Sequence, residues 1–262
     1  MTTLRKLQSI WLATALGCAL SSQAAAGLIT NGTFESGFTS WTRADQAGGD
    51  GTFNLQSGTM SPISGDPVPA PPGGTTAAMT DAQGPGAHAL FQTFVVPSLV
   101  PSASLHFDLF VGNRADRFVT PNTLDFFAPG GTTTVLNQQA RVDILVGSAG
   151  AFSLLPADLL MNAYRTNVGD PTISGYTHLS FDITSVLNAH LGQTLMLRFA
   201  ETDDLLTFQL GVDNVDIDIA AVPEPATWSL LLGAGAVALI LRRLFHPIDH
   251  NHVDRRLLSL EL

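Results

Sequence analysis

The sequence predicts an all-β fold, an antiparallel two-sheet jelly-roll sandwich, flanked by an N-terminal signal peptide and a C-terminal hydrophobic helix. Three observations favour this fold class. Apolar and polar residues alternate along several segments, which gives each strand one buried face and one wet face. Loops rich in Gly, Pro and Thr separate these segments, and residues 27–221 show no helical heptads. Antiparallel sheets produce this alternation, whereas parallel sheets produce continuous apolar runs with intervening helices.

The individual strands follow from the same alternation. The clearest segments carry apolar residues at every second position and polar residues between them: 105–111, 142–146, 179–183 and 215–219. Residues 89–96 and 195–200 are further strand candidates. Short helical turns are predicted at 157–164 and 185–191, and both are too brief to form a layer. Seven or more short strands with turn signals between them are typical of two packed sheets.

Two stretches lack apolar periodicity and are predicted to be loops. The first, residues 57–86, contains six Pro together with Gly, Ser and Thr. The second, residues 120–134, is rich in Gly and Thr. Too few strands precede the first loop to fold alone, so we interpret residues 27–221 as one β-sandwich domain.

The charge of the chain is unevenly distributed. The 262 residues carry a net charge of −10. Between Gly27 and Val222 there are 18 acidic residues, six Arg and no Lys, a net charge of −12, while residues 1–26 carry two basic and no acidic residues and residues 223–262 carry four of each. An anionic body repels phosphate backbones, so we expect no nucleic-acid partner. The single Cys18 excludes a disulfide framework, a Cys-rich zinc site and a Cys nucleophile in the body.

Residues 1–26 have the organisation of a secretory signal peptide. Arg5 and Lys6 form a positively charged start, and a short apolar stretch follows. Ala24 and Ala26 then provide a small-residue cleavage site, so we expect cleavage after Ala26. The apolar stretch is shorter than the roughly 20 residues that span a bilayer, which argues against a retained anchor.

Lipoprotein processing at Cys18 is the second alternative for this end of the chain. It is the weaker one, because the bulky Leu16 stands where such sites normally have a small residue. The alanine-rich site downstream is sufficient for cleavage without it.

Residues 222–243 are organised as a rigid spacer, an apolar helix and a basic stop. These parts are Pro223, Glu224 and Pro225, then the transmembrane helix predicted at 226–241, then Arg242 and Arg243. The helix would span about 24 Å, slightly less than the roughly 30 Å of the hydrocarbon core, and its flanking Trp and Arg side chains extend it. Basic residues after the helix place residues 244–262, a tail that contains two further Arg and three histidines, in the cytoplasm. The body then lies outside the inner membrane.

This arrangement resembles the PEP-CTERM sorting signal of Gram-negative bacteria. The resemblance rests on the triplet Pro223, Glu224 and Pro225, on the length of the apolar helix, and on the stop at Arg242 and Arg243. It implies that exosortase, a membrane protease-transpeptidase, recognises the tail, removes it and passes the protein to the cell surface or extracellular matrix. The alternative is an ordinary C-terminal membrane anchor.

The body opens and closes on two further motifs. Residues 28–37 contain N-G-T-F-E-S-G and are followed by Trp41, and residues 211–217 contain V-D-N-V-D-I. These motifs resemble the first and last strands of galactose-binding-like jelly rolls, the fold of many carbohydrate-binding modules. The resemblance implies that the first and last strands are neighbours and that Trp41 belongs to the core.

Glu35 and Asp213 are the candidate metal ligands. Asp213 is in phase with Val215 and Ile217, so a strand that already begins there directs its carboxylate toward the core. A bound Ca²⁺, which takes oxygen ligands, would compensate that buried charge. In the modules that this chain resembles, a structural calcium is held by the motif glutamate and by an aspartate of the last strand, here Glu35 and Asp213. The alternative is that Asp213 caps a turn and that Glu35 is solvated or pairs with an Arg.

The residues that would bind a glycan stay unknown. Sugar sites use exposed aromatic rings, and the candidates in the body are Tyr164, Tyr176, Phe110, Phe126 and Phe127. No catalytic residue is predicted. Asp203 and Asp204 are consecutive and would point to opposite faces of a strand, so they cannot flank one scissile bond, and a solvated loop is expected there. The histidines of the body lie in no catalytic motif.

Together the resemblances imply a secreted, non-enzymatic protein that is sorted to the surface and associates with exopolysaccharide or biofilm matrix. The expected partners are exosortase, the secretion machinery, exopolysaccharide and, transiently, the inner membrane. The only expected cofactor is a structural Ca²⁺. Two alternatives stay open: a carbohydrate-binding module with a defined glycan ligand, and a hydrolase that acts on extracellular polysaccharide.

Overall fold

Ten strands and one short helix make up residues 27–126 and 136–220, the part of the chain that the computed structural model describes. In chain order the strands are β1 (Thr42–Asp45), β2 (Thr52–Gln56), β3 (Ala77–Asp81), β4 (Gly86–Val95), β5 (Ala103–Asn113), β6 (Gln139–Val146), β7 (Leu159–Arg165), β8 (Thr177–Asp182), β9 (Thr194–Asp203) and β10 (Phe208–Ile219). The helix, α1 (Thr184–Asn188), lies between β8 and β9. The first sheet has the order β1-β4-β9-β6-β7, and the second sheet has the order β2-β3-β10-β5-β8. The paired strands are antiparallel, which confirms the predicted two-sheet jelly-roll sandwich.

The main core lies between the two sheets and follows the alternation of the sequence. Leu105 and Phe107 of β5 enter it from the second sheet, and Leu197 and Phe199 of β9 enter it from the first. The rings of Phe107 and Phe199 meet edge to face with centroids 5.3 Å apart, a favoured geometry for aromatic pairs. The six segments predicted from alternation are confirmed as β4, β5, β6, β8, β9 and β10.

Two other predictions of secondary structure differ from the structure. The helical turn expected at 157–164 is wrong, because most of this segment forms β7, the edge strand that pairs with β6. Its side chains are half-buried, and Leu160 and Tyr164 pack against the main core, so pairing and burial override the local preference for a turn. The second predicted turn, at 185–191, is confirmed in part by α1.

The loop predicted at 57–86 is wrong at its centre, where β3 forms. All five residues of β3 are buried, because Ala78 faces the main core while Met79 packs on the opposite side against Val68. A strand buried on both faces loses its period of two and is not recognised by alternation. The loop predicted at 120–134 contains no strand among residues 120–126, and residues 127–134 lie outside the described part.

The start and the end of the body lie side by side. The N–H of Leu28 donates to the carbonyl of Ile217 at 3.2 Å, and the N–H of Val215 donates to the carbonyl of Gly32 at 3.0 Å. A Cβ on Gly32 would lie 1.8 Å from the carbonyl oxygen of Val215, so the close approach of the two backbone segments requires glycine here. Trp41 is 7% exposed and belongs to the core. The core position of Trp41 is confirmed. The opening motif contacts β10 as expected, but residues 28–37 form turns and not a first strand, and β1 lies in the other sheet.

The chain divides into two units, Met1–Ala221 and Val222–Leu262, and every described residue belongs to the first. The signal peptide predicted at 1–26, with Ala24 and Ala26, lies outside the described residues. So do the segment 222–243, with the helix predicted at 226–241, and the tail 244–262. Within residues 27–126 and 136–220, no helix has the length and hydropathy needed to cross a bilayer.

Candidate functional site

Three titratable side chains meet inside the sandwich, at one end of the space between the sheets. β4 and β9 pair so that His88 lies opposite Glu201 and Gly86 lies opposite Asp203. Glu201 and Asp203 continue the inward phase of Phe199, and His88 continues that of Leu90. The three side chains belong to residues that are only 1%, 1% and 3% exposed, in the order His88, Glu201 and Asp203. We refer to these three residues as the interior cluster.

The donor atoms of the interior cluster converge. One ligand atom from each of the three residues lies within 4.8 Å of the others. The Nδ1 atom of His88 is 2.8 Å from Oδ1 of Asp45, and the Oδ1 atom of Asp203 accepts the N–H of Gly86 at 2.8 Å. The Nε2 atom of His88 and the Oε1 atom of Glu201 are both buried without a hydrogen-bond partner. Two polar atoms at the centre of the cluster are therefore unsatisfied, which is costly in a folded interior.

Asp45 orients the imidazole of His88. Burial raises the pKa of Asp45. The hydrogen bond from His88, together with other contacts, has the larger effect and holds that pKa below its ordinary value. An ionised Asp45 can only accept a hydrogen bond, so Nδ1 of His88 is the donor. In the neutral ring, Nε2 then keeps its lone pair. A Cβ built on Gly86 would be 2.6 Å from Nε2, so this atom faces the backbone segment that Asp203 binds.

The two acids of the interior cluster have no basic partner. Burial raises the pKa of Glu201 well above its ordinary value, and the neighbouring charge of Asp203 raises it further. Burial also raises the pKa of Asp203 to about 8, although the N–H of Gly86 opposes the shift. Within the described residues, no Arg forms an ion pair with either acid. The cluster can hold a proton or a cation at its centre.

The solvated loop expected at Asp203 and Asp204 is wrong for Asp203, whereas Asp204 begins the loop between β9 and β10. Asp203 ends β9 with its side chain inside the sandwich. Asp204 is half-buried and accepts the N–H of Asn137 at 2.7 Å, and burial raises its pKa to about 6. The inference that the pair cannot flank one bond is unaffected, because the two carboxylates have different surroundings.

Glu35 and Asp213, the candidate calcium ligands, are both held against one loop. The exposed Glu35 carboxylate accepts the N–H groups of Thr75 and Thr76 at 2.8 Å each, and both threonine hydroxyls donate to it as well. These donors lower the pKa of Glu35 to about 2. Asp213 accepts the N–H of Gly73 at 3.0 Å, and burial raises its pKa to about 6, with a contribution from the charge of Glu35. The structure thus brings the two predicted residues together, and calcium binding stays a prediction.

The side chain of Asp213 does not point toward the main core. Val212 and Val215 both lie in that core although they are three residues apart, because the register of β10 shifts between Asp213 and Asp216. Asn214, at the shift, has a φ of 50°. Such a bulge reverses the phase of the strand, so Asp213 faces the outer side of the second sheet beside Asp108.

The aromatic candidates for a glycan site are mostly enclosed. Phe110 and Phe126 are buried, which contradicts their expected exposure, and Phe127 lies outside the described residues. Tyr164 and Tyr176 are half-buried. Burial raises the pKa of Tyr176 well above its ordinary value, and its buried hydroxyl has no hydrogen-bond partner.

An open groove runs beside β1. Its lining includes Phe38, Trp41, Arg43 and Asp45. The guanidinium of Arg43 lies 4.6 Å from the centre of the Phe38 ring and also donates to the carbonyl of Phe53 at 2.8 Å. The side chain of Asp45 is 41% exposed and connects the wall of the groove to His88. The groove therefore offers an aromatic ring, a cation and a carboxylate to solvent.

Sequence reasoning did not identify the interior cluster. The signal was present in the strand predicted at 195–200. If that strand is extended by three residues, to 203, Glu201 and Asp203 fall on the buried face, in phase with Phe199. His88 gave a weaker signal, because a single histidine in an apolar strand is common in protein cores.

Solved structures that resemble the body have low sequence identity to it. One is the carbohydrate-binding module TmCBM61 in complex with β-1,4-galactotriose (8% identity, TM-score 0.43, covering 75% of this chain and 100% of that one). Another is the K3 cleaved adhesin domain of Lys-gingipain from Porphyromonas gingivalis (12%, 0.42, 73% and 98%). A third is the enzymatically active domain of tailspike protein 4 of bacteriophage CBA120 (11%, 0.41, 74% and 21%). No protein of curated function matches the chain.

The C-terminal segment matches a known sorting motif. Residues 221–243 match the family described as the PEP-CTERM protein-sorting motif. The individual roles of Pro223, Glu224, Pro225, Arg242 and Arg243 stay predictions. The motif itself is confirmed, and it indicates an exported protein that is anchored in the membrane and then sorted by exosortase.

Proposed function

We propose that this chain is a non-enzymatic protein that exosortase delivers to the cell surface or extracellular matrix, where the β-sandwich associates with exopolysaccharide. The observation that carries the proposal is the PEP-CTERM motif at residues 221–243. A sorting signal at the C-terminus and a folded body ahead of it are the parts that such a substrate requires. The acidic, lysine-free body is compatible with an extracellular setting and unsuited to nucleic acid.

The burial of the interior cluster supports a role without catalysis. Glycoside hydrolysis needs two carboxyl groups on either side of a bond that the substrate brings between them. Glu201 and Asp203 are close together, but both are enclosed between the sheets. A polysaccharide cannot reach them without opening the sandwich. The most strongly perturbed acids of the described part are thus inaccessible to the substrate that a hydrolase would cut.

The intact mass of the mature protein tests the sorting step. The protein is isolated from envelope and medium fractions and weighed by mass spectrometry. We expect a chain that begins at Gly27 and lacks the residues after Pro225. A mature protein that retains residues 226–241 would instead be an ordinary membrane-anchored protein, and the sorting proposal would be rejected.

Substitution of the triplet sharpens that test. Replacing Pro223, Glu224 and Pro225 by Ala should leave the C-terminal segment attached and keep the protein in the membrane fraction. Replacing Arg255 and Arg256 by Ala, beyond the motif, is the matched control and should be processed like the wild type. Equal processing of both variants would contradict recognition of the triplet.

A carbohydrate-binding module with a defined glycan is the second candidate function, and the groove beside β1 favours it. The Phe38 ring and the polar ends of Arg43 and Asp45 combine an apolar surface with hydrogen-bonding groups. A glycan array that shows saturable micromolar binding to one sugar would favour this candidate. Phe38→Ala should then weaken binding by about tenfold. Leu155→Ala, at an exposed apolar residue outside the groove, should not change it.

An assay for new reducing ends distinguishes both candidates from a hydrolase. The purified chain is incubated with exopolysaccharide from the same cells. We expect no increase of reducing ends over a heat-denatured control. A time-dependent increase that the denatured protein lacks would overturn the non-enzymatic proposal.

A further inference from the structure

We propose that the interior cluster, His88, Glu201 and Asp203, is a binding site for one divalent cation of the first transition series, with Zn²⁺ or Mn²⁺ as suitable probes. This site is separate from the predicted calcium ligands Glu35 and Asp213. It requires no contact with a glycan and no step of the sorting reaction, so it is independent of the proposed function.

The donor set is the first argument. One imidazole nitrogen and two carboxylate oxygens within 4.8 Å of one another can contact a single ion. Protein zinc sites are commonly built from three such side chains plus a water molecule. Bond lengths of about 2.0–2.2 Å would place the donor atoms roughly 3.3 Å apart, so the three side chains would close around the ion while β4 and β9 stay paired.

The second argument is the pair of unsatisfied atoms. Nε2 of His88 and Oε1 of Glu201 are buried and have no hydrogen-bond partner, and both belong to residues of the cluster. Buried polar atoms in folded proteins are almost always satisfied by protein, water or an ion. A cation at the centre of the cluster would satisfy both atoms at once and would neutralise the two carboxylates.

The contact between Asp45 and His88 is the third argument. A histidine that binds a metal through one ring nitrogen usually donates its other N–H to a carboxylate or carbonyl group. Nδ1 of His88 lies 2.8 Å from the Asp45 carboxylate, which leaves Nε2 for the ion. Asp45 itself lies in the wall of the open groove, so the cluster is one side chain away from solvent. Asp45 is the positioning residue of the site.

The nitrogen donor decides the class of the cation. Ca²⁺ and Mg²⁺ are hard ions that take oxygen ligands. Imidazole suits Zn²⁺ and the other ions of the first transition series, while carboxylate also suits Mn²⁺. The interior cluster and the loop site therefore differ in ligand chemistry, because Glu35 and Asp213 offer oxygen atoms alone.

Calorimetric titration with metal salts tests the proposal in the full-length chain after treatment with a chelator. His246, His250 and His252 are first replaced by Ala, because a tail with three histidines can bind zinc by itself. We expect saturable binding of one Zn²⁺ per chain, a higher melting temperature with zinc, and binding of Mn²⁺ detected by electron paramagnetic resonance. The absence of saturable binding of both ions would overturn the proposal and leave a protonated acid pair in the cluster.

Matched glutamate variants locate the ion. Glu201 and Glu35 are the two glutamates of the body. Glu201→Gln keeps the shape of the side chain and removes its charge, and it should weaken zinc binding by about 100-fold or more. Glu35→Gln should leave zinc binding unchanged. Equal affinity in both variants would place the ion elsewhere and overturn the proposal.

Two further variants test the individual donors. His88→Gln should weaken zinc binding by about 100-fold or more, as Glu201→Gln does. Asp45→Asn should weaken zinc affinity by about 10–100-fold, the usual effect of losing the partner of a ligating histidine. An unchanged affinity in His88→Gln would contradict the site. The unfolding curve of each variant in chelator shows that the loss is not a loss of fold.

Discussion

The two faces of β9 bury charge in opposite ways. On the outer face, Arg198 is 0% exposed and donates to Asp143 at 2.5 Å, and Arg141 donates to the same carboxylate at 2.7 and 2.8 Å. On the inner face, Glu201 and Asp203 lie beside His88 with no arginine. Two arginines and one aspartate give the outer group an excess of one positive charge. With both acids ionised and His88 neutral, the inner group has two negative charges. One strand thus carries two buried charge groups of opposite sign.

The chain compensates the outer group more fully than the inner one, although Nε of Arg198 also lacks a hydrogen-bond partner. Burial lowers the pKa of Arg198, and the charge of Asp143 opposes that shift. The carbonyls of Ala151 and Ser153 accept two more hydrogen bonds from Arg198, each of 2.9 Å. On the inner face, Oε1 of Glu201 receives no donor. Buried charge is therefore tolerated where the chain supplies counter-groups, and the inner face needs a proton or a cation from outside.

The largest expected effect is on the outer face, from Asp143→Ala. This change leaves Arg141 and Arg198 buried without their shared carboxylate, and the free energy of unfolding should fall by about 3–5 kcal/mol. Urea denaturation measures the loss. The control is Asp116→Ala, which removes an exposed carboxylate near Arg117 and should change stability by less than about 0.5 kcal/mol. A similar small effect at Asp143 would mean that the outer group is not held by its ion pairs.

A smaller loss is expected from Asp81→Asn, at a buried acid that lies on the outer side of the second sheet, in phase with Met79, and does have donors. Asp81 is buried and accepts the N–H groups of Ile63 at 2.6 Å and Ser64 at 2.8 Å. Losing charge-assisted hydrogen bonds of this kind should cost about 2 kcal/mol in chemical denaturation. A stability equal to that of the wild type would show that these donors are not needed at a buried carboxylate.

The same residue gives a pH dependence. Burial raises the pKa of Asp81, but the hydrogen bonds from Ile63, Ser64 and Gln209 outweigh it and place the pKa below its ordinary value. The folded state then binds the proton more weakly than the unfolded state. The stabilisation by Asp81 is present above about pH 4 and is lost as the pH falls below it. Between about pH 5 and 2, the free energy of unfolding should therefore depend less on pH in Asp81→Asn than in the wild type, as measured by denaturation at each pH.

An effect of opposite sign is expected on the inner face, from Glu201→Gln in the presence of a chelator. Removing a buried acid without a counter-ion should raise the free energy of unfolding by about 1 kcal/mol. Glu35→Gln should lower stability instead, because the Glu35 carboxylate accepts hydrogen bonds from Thr75 and Thr76. A loss of stability in Glu201→Gln without metal would mean that the inner acid is already compensated.

The smallest effect is expected from Tyr176→Phe, at an unsatisfied group without charge. The Tyr176 hydroxyl is buried and lacks a partner, and the ring packs against Phe110 with centroids 5.8 Å apart. Removing the hydroxyl and keeping the ring should change the free energy of unfolding by less than about 0.5 kcal/mol. A loss above about 1.5 kcal/mol would indicate that the hydroxyl is hydrogen-bonded in solution.

Strands in which polar residues separate the core residues could be predicted from the sequence, even where both faces are covered, as in β6. Alternation located β5 because His106 and Asp108 separate its core residues. β3 was missed because Ala77, Ala78 and Met79 are consecutive apolar residues without alternation, and β7 was missed because an edge strand with register shifts has no regular period. The edge position of β7 is a property of tertiary packing that a local pattern does not contain.

The candidate sites were predictable to a similar degree. Glu35 and Asp213 were named from a resemblance, and the structure holds both against one loop, but the bulge at Asn214 reverses the expected direction of Asp213. Glu201 was missed because the predicted strand ended at residue 200, one position too early. The contact of His88 with Glu201 depends on the pairing of β4 with β9, residues 113 positions apart, which no local spacing encodes.

The position of β10 has a mechanical consequence. Ala221 and the sorting segment follow this strand almost directly, so tension on a tethered body would be transmitted through it. β10 is a central strand that pairs with β5 over most of its length, with β3 on its other side, and with the chain start through Leu28 and Gly32. A force along the strand would load these hydrogen bonds in shear. Many of them would then have to break at the same time for β10 to leave the sheet. The strand that precedes the sorting segment is therefore hydrogen-bonded on both of its sides.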